Sequence, residues 1–375
     1  MKIIMIGPVY PFKTGLSYYT GLMYRGLMKK HDVQLLSYTM QYPKLLFKKE
    51  QKDYEDDTVK IDDVTYMIHT ANPFNWISSA RYINRQKPDL VIFQWLHPYF
   101  TPCFWSLAKL IKHSKIMFIC HNVFPHERFP LDTWLTKTAL RQGDFFVTHS
   151  TMDAEDLKSV VKNPNYKVAV HPAYNFFKIK NMTKEQGREM LNIKPDEKVL
   201  LFFGLVREYK GLKHLLKAMP QVKETFSDCR LLIAGDFGSS EDQYRALIKE
   251  NGIEDCVDVY GGHIPIPQVE KFFAACDLVV LPYESATQSG VIQVAYSFRK
   301  PVLVTNVGGL PDVVNDNQTG FIVEPFDSKA LSDAIERYFK ENKAEAFKEH
   351  IEEEAYRFSW DRMTETIESF MEEKQ

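Results

Sequence analysis

The chain has 375 residues, 45% of them hydrophobic and 26% charged, with a formal net charge of −2. At roughly 100–200 residues per domain that length implies two or three domains, and the composition excludes a disordered or fibrous chain. An odd cysteine count of 5 with no CxxC argues for reduced, buried thiols and against a cysteine metal site, and no apolar run approaches the ~20 residues that cross a bilayer.

The first residues, 2–6, form a short apolar run that ends at Gly7-Pro8, which reads as a buried first strand rather than a signal peptide. Further strands are expected at 33–37, 65–69, 89–94, 115–120, 144–148 and 167–170, with helices between them at 16–30, 100–113, 131–141 and 152–161. This alternation specifies a parallel sheet wrapped by helices. It breaks at 174–197, where an inter-domain linker is expected. It then restarts, with strands at 198–203, 229–234, 257–260, 278–281, 301–304 and 321–323 and helices at 212–226, 240–251, 267–275, 289–298 and 328–340. The tail, 343–373, reads as helical and acidic, broken at Phe358-Ser359-Trp360-Asp361. Charge is uneven between the halves. Residues 1–178 hold 23 Lys and Arg against 15 Asp and Glu, a balance of +8, so the remainder, with 24 basic and 34 acidic, carries −10. A basic first half points to an anionic partner, a membrane surface or a charged acceptor. No zinc-finger or RNA-recognition signature accompanies it, so nucleic acid is not an expected partner.

Four segments join a strand to a helix and carry polar chemistry. In Gly204-Leu205-Val206-Arg207-Glu208-Tyr209-Lys210-Gly211, two cations three residues apart precede a helix, whose N-terminal N–H groups favour anions. Arg207 supplies a forked donor and Lys210 a point charge, which together suit a diphosphate. In Tyr283-Glu284-Ser285-Ala286-Thr287-Gln288-Ser289-Gly290, backbone donors at Thr287, Ser289 and Gly290 suit phosphate or sugar oxygens, and Glu284 suits sugar hydroxyls. The first loop, Gly7 to Leu16, is not GxGxxG, which disfavours a dehydrogenase, yet Thr14-Gly15 opens a helix where backbone can approach an anion. Finally, His97 and the run Cys120-His121-Asn122 follow buried strands, with His126 and Glu127 just beyond, so their side chains should reach the ligand edge of a first sheet.

Together these residues resemble a retaining GT-B glycosyltransferase of family 4, group 1 type, nearly from end to end. The Gly204-to-Gly211 segment is similar to that family's GxxRxxKG motif. Lys300 to Asp312, with Gly308-Gly309, resembles the following strand and loop; Asn317-Gln318-Thr319-Gly320 and Ser359-Trp360-Asp361 resemble the next landmarks. The resemblance implies an α/β fold of two doubly wound Rossmann-like domains facing across a cleft. Residues 1–178 would bind the acceptor, 179–357 the nucleotide sugar, and 358–375 would form a helix packing back on the first domain. It implies that Arg207 and Lys210 hold the departing diphosphate, that Gly15 lets the first loop approach it, and that His121 lies beside the transferred sugar. Gly204, His263, Ile264, Thr287, Gln288, Ser289 and Gly290 would complete the donor site, with His97, Asn122, His126 and Glu127 toward the acceptor.

One departure matters. The family's paired glutamates would fall at 286 and 294, where this chain has Ala286 and Val294. Glu284 and Gln293 are the nearby candidates to replace them. The expected activity is transfer of a hexose from a nucleoside-diphosphate sugar, UDP or GDP type, to a glycan or lipid-linked hydroxyl. No metal or other cofactor is expected. The competing readings are a non-catalytic sugar-nucleotide-binding partner and a GT-B-fold UDP-sugar epimerase. The expected location is cytoplasmic, dissolved or peripheral at the inner membrane face. The basic and apolar stretch Tyr42 to Lys49 is a candidate membrane contact.

Overall fold

The computed structural model describes residues 1–12, 15–45, 50–54, 60–125 and 128–372. They form two compact units, Met1–Val170 with Ser359–Gln375, and His171–Phe358.

The first unit alternates strand and helix: β1 (Lys2–Ile6), α1 (Gly15–Met28), β2 (Asp32–Met40), β3 (Val64–His69), α2 (Pro73–Gln86), β4 (Leu90–Trp95), α3 (Thr101–Leu110), β5 (Lys115–Cys120), α4 (Asp132–Leu140), β6 (Phe145–Thr148), α5 (Thr151–Val160) and β7 (Tyr166–Val168). The sheet runs β3-β2-β1-β4-β5-β6-β7, with all pairings parallel. Strands buried on both faces need continuous apolar runs, and Leu90 to Trp95 is buried throughout. Helix α2 is absent from the sequence reading, although its start is well marked. Asn72 caps it, accepting from the backbone N–H groups of Phe74 and Asn75, and Pro73 occupies the first turn.

The second unit opens with α6 (Lys184–Met190) and continues β8 (Lys198–Phe203), α7 (Leu212–Thr225), β9 (Cys229–Gly235), α8 (Glu241–Glu250), β10 (Val257–Gly261), α9 (Ile266–Ala275), β11 (Leu278–Leu281), α10 (Gly290–Ser297), β12 (Val302–Thr305), β13 (Gly320–Val323), α11 (Ser328–Lys340) and α12 (Ala344–Glu353). Its sheet runs β10-β9-β8-β11-β12-β13, again all parallel. The expected linker at 174–197 is corrected here, because much of it is built into this unit. Thr183 and Gln186 form a reciprocal capping box for α6. Gly187 lets α6 close on α9, since a Cβ there would lie 2.8 Å from the Lys271 carbonyl oxygen. The buried Arg188 donates to the Ala275 carbonyl and to Asp277.

The last helix, α13 (Trp360–Glu372), returns to the first unit and packs on α1. All five cysteines are buried and unpaired. Among the described residues no helix is long and apolar enough to cross a membrane.

Candidate active site

In each sheet the strand order reverses at one point, between β1 and β4 in the first and between β8 and β11 in the second. Loops leaving the carboxyl ends of strands part there, which is where open α/β sheets take ligands. In the second unit the two loops at that point are Gly204–Gly211 and the one from Pro282 to Ser289, both singled out by the sequence.

Glycines let these loops crowd together. Gly204, at φ +109°, ends β8; a Cβ on Gly235 of β9 would fall 1.8 Å from its carbonyl oxygen. Gly211 has φ +65° and stands where a Cβ would fall 1.9 Å from the Pro282 carbonyl oxygen. Between them, Glu208–Lys210 makes a single 3₁₀ turn that leads into α7. Arg207 Nη1 donates to the carbonyls of Val206, at 2.8 Å, and Asp236, at 3.4 Å. Lys210 Nζ donates to the Tyr283 hydroxyl at 2.8 Å and lies 4.2 Å from that ring's centroid. The Tyr283 hydroxyl is in turn 3.2 Å from Ser289 Oγ. Among the described residues neither Arg207 nor Lys210 has a carboxylate partner. Two cations held by carbonyls and a phenol, with no anion to neutralise them, leave a site set for one.

The rest of this edge assembles around them. Ser289 is buried and precedes the exposed Gly290, the first residue of α10. The loop after β12 seats on Ala286 and Thr287. Gly309 N–H donates to the Thr287 carbonyl at 3.0 Å, and Gly308, at φ +52°, would put a Cβ 1.5 Å from the Ala286 carbonyl oxygen. Gln288 is partly buried in the same loop. His263 and Ile264 lie on the open loop after β10, His263 exposed.

Glu284 and Gln293 are the candidates to replace the glutamates absent at Ala286 and Val294. Glu284 Oε1 accepts from Lys213 Nζ and His214 Nε2, each at 2.8 Å. Burial pushes its carboxyl up, but those two donors outweigh burial and hold it below the usual carboxylate range. Gln293 is 1% exposed, and its Oε1 has no hydrogen-bond partner among the described residues. The partners Lys213 and His214 are absent from the sequence reading, and Tyr283 stands in it only as part of the Tyr283-to-Gly290 segment, with no role given. Only Tyr283 had a local signal, lying between a strand end and a helix start.

In the first unit, His121 and Asn122 follow β5 and are buried. His121 Nε2 donates to Gln94 Oε1 of β4 at 2.7 Å, and the His121 ring meets Tyr19 edge-on at 4.6 Å. Gly7 allows this close fit, since a Cβ there would lie 2.7 Å from Gln94 Cγ. His97 follows β4. Its Nδ1 accepts from Tyr99 N–H and its ring stacks on Phe129. Burial lowers its pKa, opposed by Asp132. Gly15 opens α1, and a Cβ there would meet nothing within 4 Å. Thr14, His126 and Glu127 lie outside the described residues, as do residues 46–49 of the candidate membrane stretch.

The family model described as Glycosyl transferases group 1 matches residues 183–358, and that described as Glycosyltransferase Family 4 matches residues 14–173. The chain is 24% identical to an alpha-D-kanosaminyltransferase of Streptomyces kanamyceticus over 64% of each chain. It is 27% identical to a D-inositol 3-phosphate glycosyltransferase of Corynebacterium aurimucosum over 58% of this chain and 54% of that one. Each match thus spans less than two-thirds of the relative's own length. Across the whole of both chains the structure resembles Anabaena HepE, solved with UDP, at a TM-score of 0.76 and 16% identity. That likeness shows the two-domain α/β GT-B fold.

Proposed function

The chain belongs to the group 1, family 4 type of glycosyltransferases, and from that premise we propose that it transfers a hexose from a nucleoside-diphosphate sugar to a hydroxyl of a glycan or lipid-linked acceptor, with retention and without a metal. The observation that carries this is the pair Arg207 and Lys210, unneutralised at the switch point of the second sheet. In the proposed reaction the bond between the anomeric carbon and the diphosphate oxygen breaks, the acceptor oxygen takes its place on the same face, and the acceptor's hydroxyl proton passes to the departing diphosphate oxygen. The transition state is oxocarbenium-like. The main catalytic demand is the negative charge growing on the leaving diphosphate, which Arg207, Lys210 and the backbone N–H groups near Ser289 and Gly290 are arranged to meet. His121, held by Gln94, would face the sugar; His97 and Asn122 would stand toward the acceptor, with His126 and Glu127 beyond. Solved neighbours that hold UDP and UDP-glucose favour a UDP-sugar as the first donor to try.

A second reading, a non-catalytic partner that binds the sugar nucleotide, draws on one observation: Glu284, the candidate to stand in for the glutamates absent at Ala286 and Val294, is already engaged by Lys213 and His214. A thermal-shift screen with UDP, GDP, ADP and their sugar conjugates tests binding, because a ligand selective for the folded state raises its stability. One nucleotide should raise the melting temperature, and Arg207→Ala or Lys210→Ala should abolish the rise. No shift with any nucleotide would count against both readings. A shift without transfer or hydrolysis of the sugar, across a panel of acceptors, would favour the second.

A further inference from the structure

Three neighbouring helices of the first unit carry an outer face that the transferase reading does not use. Helices α2, α3 and α4 bury Ala80, Ile83, Phe104, Leu107, Ala139 and Leu140 in one core against the sheet, and α3 packs beside both of the others. In their N-terminal halves they turn large apolar side chains to solvent. Phe74 is 83% exposed, Trp134 61% and Trp105 40%. Ile77 and Leu131 extend this band. Further along stand cations: Arg81 and Arg85 on α2, Lys109 near the end of α3 with Lys112 in the turn beyond it, and Lys137 and Arg141 at the end of α4. Phe74 and Arg81 on α2, seven apart, Trp105 and Lys109 on α3, four apart, and Trp134 with Lys137 and Arg141 on α4, three and seven apart, share helix faces.

The charge on this face is uncompensated. The three helices contain a single acidic residue, Asp132, which is buried and paired with Arg128. Among the described residues none of the six cations forms an ion pair. The pattern stops at α5, where Lys158 pairs with Glu155 at 2.6 Å. Helix α11 of the second unit shows the ordinary solvated alternative, with Lys329–Asp333, Arg337–Glu341 and Lys340–Glu336 pairs along it.

We propose that the α2–α3–α4 face docks on an anionic lipid bilayer. Indole rings settle at the headgroup level, where one edge is apolar and the other wet. Lys and Arg lay their stems along apolar surface and carry their charge to lipid phosphates. A soluble acidic partner would use the cations but would not call for exposed aromatics on three neighbouring helices. Each helix begins beyond the carboxyl end of its preceding strand, so the band borders the edge that bears His97 and Asn122. This surface is separate from the donor residues, and the proposal stands or falls independently of the transferase reading.

The test uses the full chain and vesicles of phosphatidylglycerol mixed with phosphatidylcholine, against vesicles of phosphatidylcholine alone. Co-sedimentation should occur with the anionic vesicles and weaken with salt. The triple change Lys109→Glu, Lys137→Glu and Arg141→Glu should weaken it about 100-fold or more, since each basic residue beside an anionic surface is worth about five-fold. Brominated lipid should quench tryptophan fluorescence of the native chain, and Trp105→Ser with Trp134→Ser should remove most of that quenching. Circular dichroism should match the native chain for both variants, because the altered side chains are on the surface. Equal binding to both vesicle types, binding unchanged in the variants, or retention on a polyanion resin with no vesicle binding would each overturn the proposal.

Discussion

At the scale of single residues, the first unit holds a histidine whose protonation is tied to folding. His149 is fully buried, its Nδ1 donates to the Ala169 carbonyl at 2.8 Å, and its ring packs against Tyr19 and His121. Burial lowers its pKa from 6.5 to about 4, against the opposing pull of the Ala169 carbonyl. Between those two values the unfolded chain binds a proton that the folded chain refuses, so folding stability should fall as pH drops through that window and be whole above it. The loss should approach about 3 kcal/mol, at about 1.4 kcal/mol for each unit. Urea denaturation at a series of pH values checks this, and His149→Asn should flatten the slope between pH 6.5 and about 4. Neighbouring residues also show where sequence reading stops. The chemistry of Arg207 and Lys210 is legible because it depends on one loop. The engagement of Glu284 by Lys213 and His214 is not, because it depends on α7 lying against that loop. A two-residue offset from the family position also fails to say which way a carboxylate points.

At the scale of elements, the strands are the most legible part of the chain. β5 and β8 each open on a lysine and then run apolar to their ends, and β11 is apolar throughout, since a strand buried on both faces leaves little choice of residue type. The stretch from 174 to 197 is the opposite case. Its order comes from Glu270 on α9, which is 1% exposed and accepts the backbone N–H groups of Ile179, Lys180 and Met182. A glutamate some ninety residues away cannot be read as a cap for that segment. Glu270→Ala should therefore cost about 3 kcal/mol or more, because donors to a charged acceptor would be stranded. Hydrogen exchange should then show the Ile179–Met182 amides opening, and Glu270→Gln should restore part of their protection. The loop after β12 depends on conformation rather than charge. Gly308→Ala places a methyl group at a positive φ and against the Ala286 carbonyl. It should cost about 2 kcal/mol or more, and it should shrink the nucleotide-induced thermal shift by displacing Gly309 from Thr287. Native stability with an unchanged nucleotide shift would show that the two loops are not coupled in this way.

At the scale of the whole molecule, the end of the chain completes the unit that its beginning starts. Helix α13 inserts Met363, Ile367 and Phe370, each 2% exposed or less, into the core formed by α1 and one face of the first sheet. Phe370 packs on Phe145 at 5.2 Å, Trp360 on Tyr19 at 5.1 Å, and Lys167 reaches Ser369 at 2.6 Å. Truncating one such buried side chain costs about 2–5 kcal/mol. Losing three together matches or exceeds the ~5–15 kcal/mol that holds a domain folded. Among the described residues, the second unit's core cluster around Leu200, Leu215 and Leu231 draws no side chain from this helix. A chain ending at Phe358 should therefore lose order in its first unit and keep it in its second. Limited proteolysis with mass spectrometry should find early cuts in α1 and between β1 and β7, while 171–358 resists. The thermal shift given by whichever nucleotide the full chain binds should persist in part, because Arg207, Lys210 and their partners Val206, Asp236 and Tyr283 all lie in the resistant unit. Phe370→Ala alone should lower stability by about 3–5 kcal/mol without unfolding the first unit. Uniform protection of the shortened chain would show that the first sheet and α1 hold without α13.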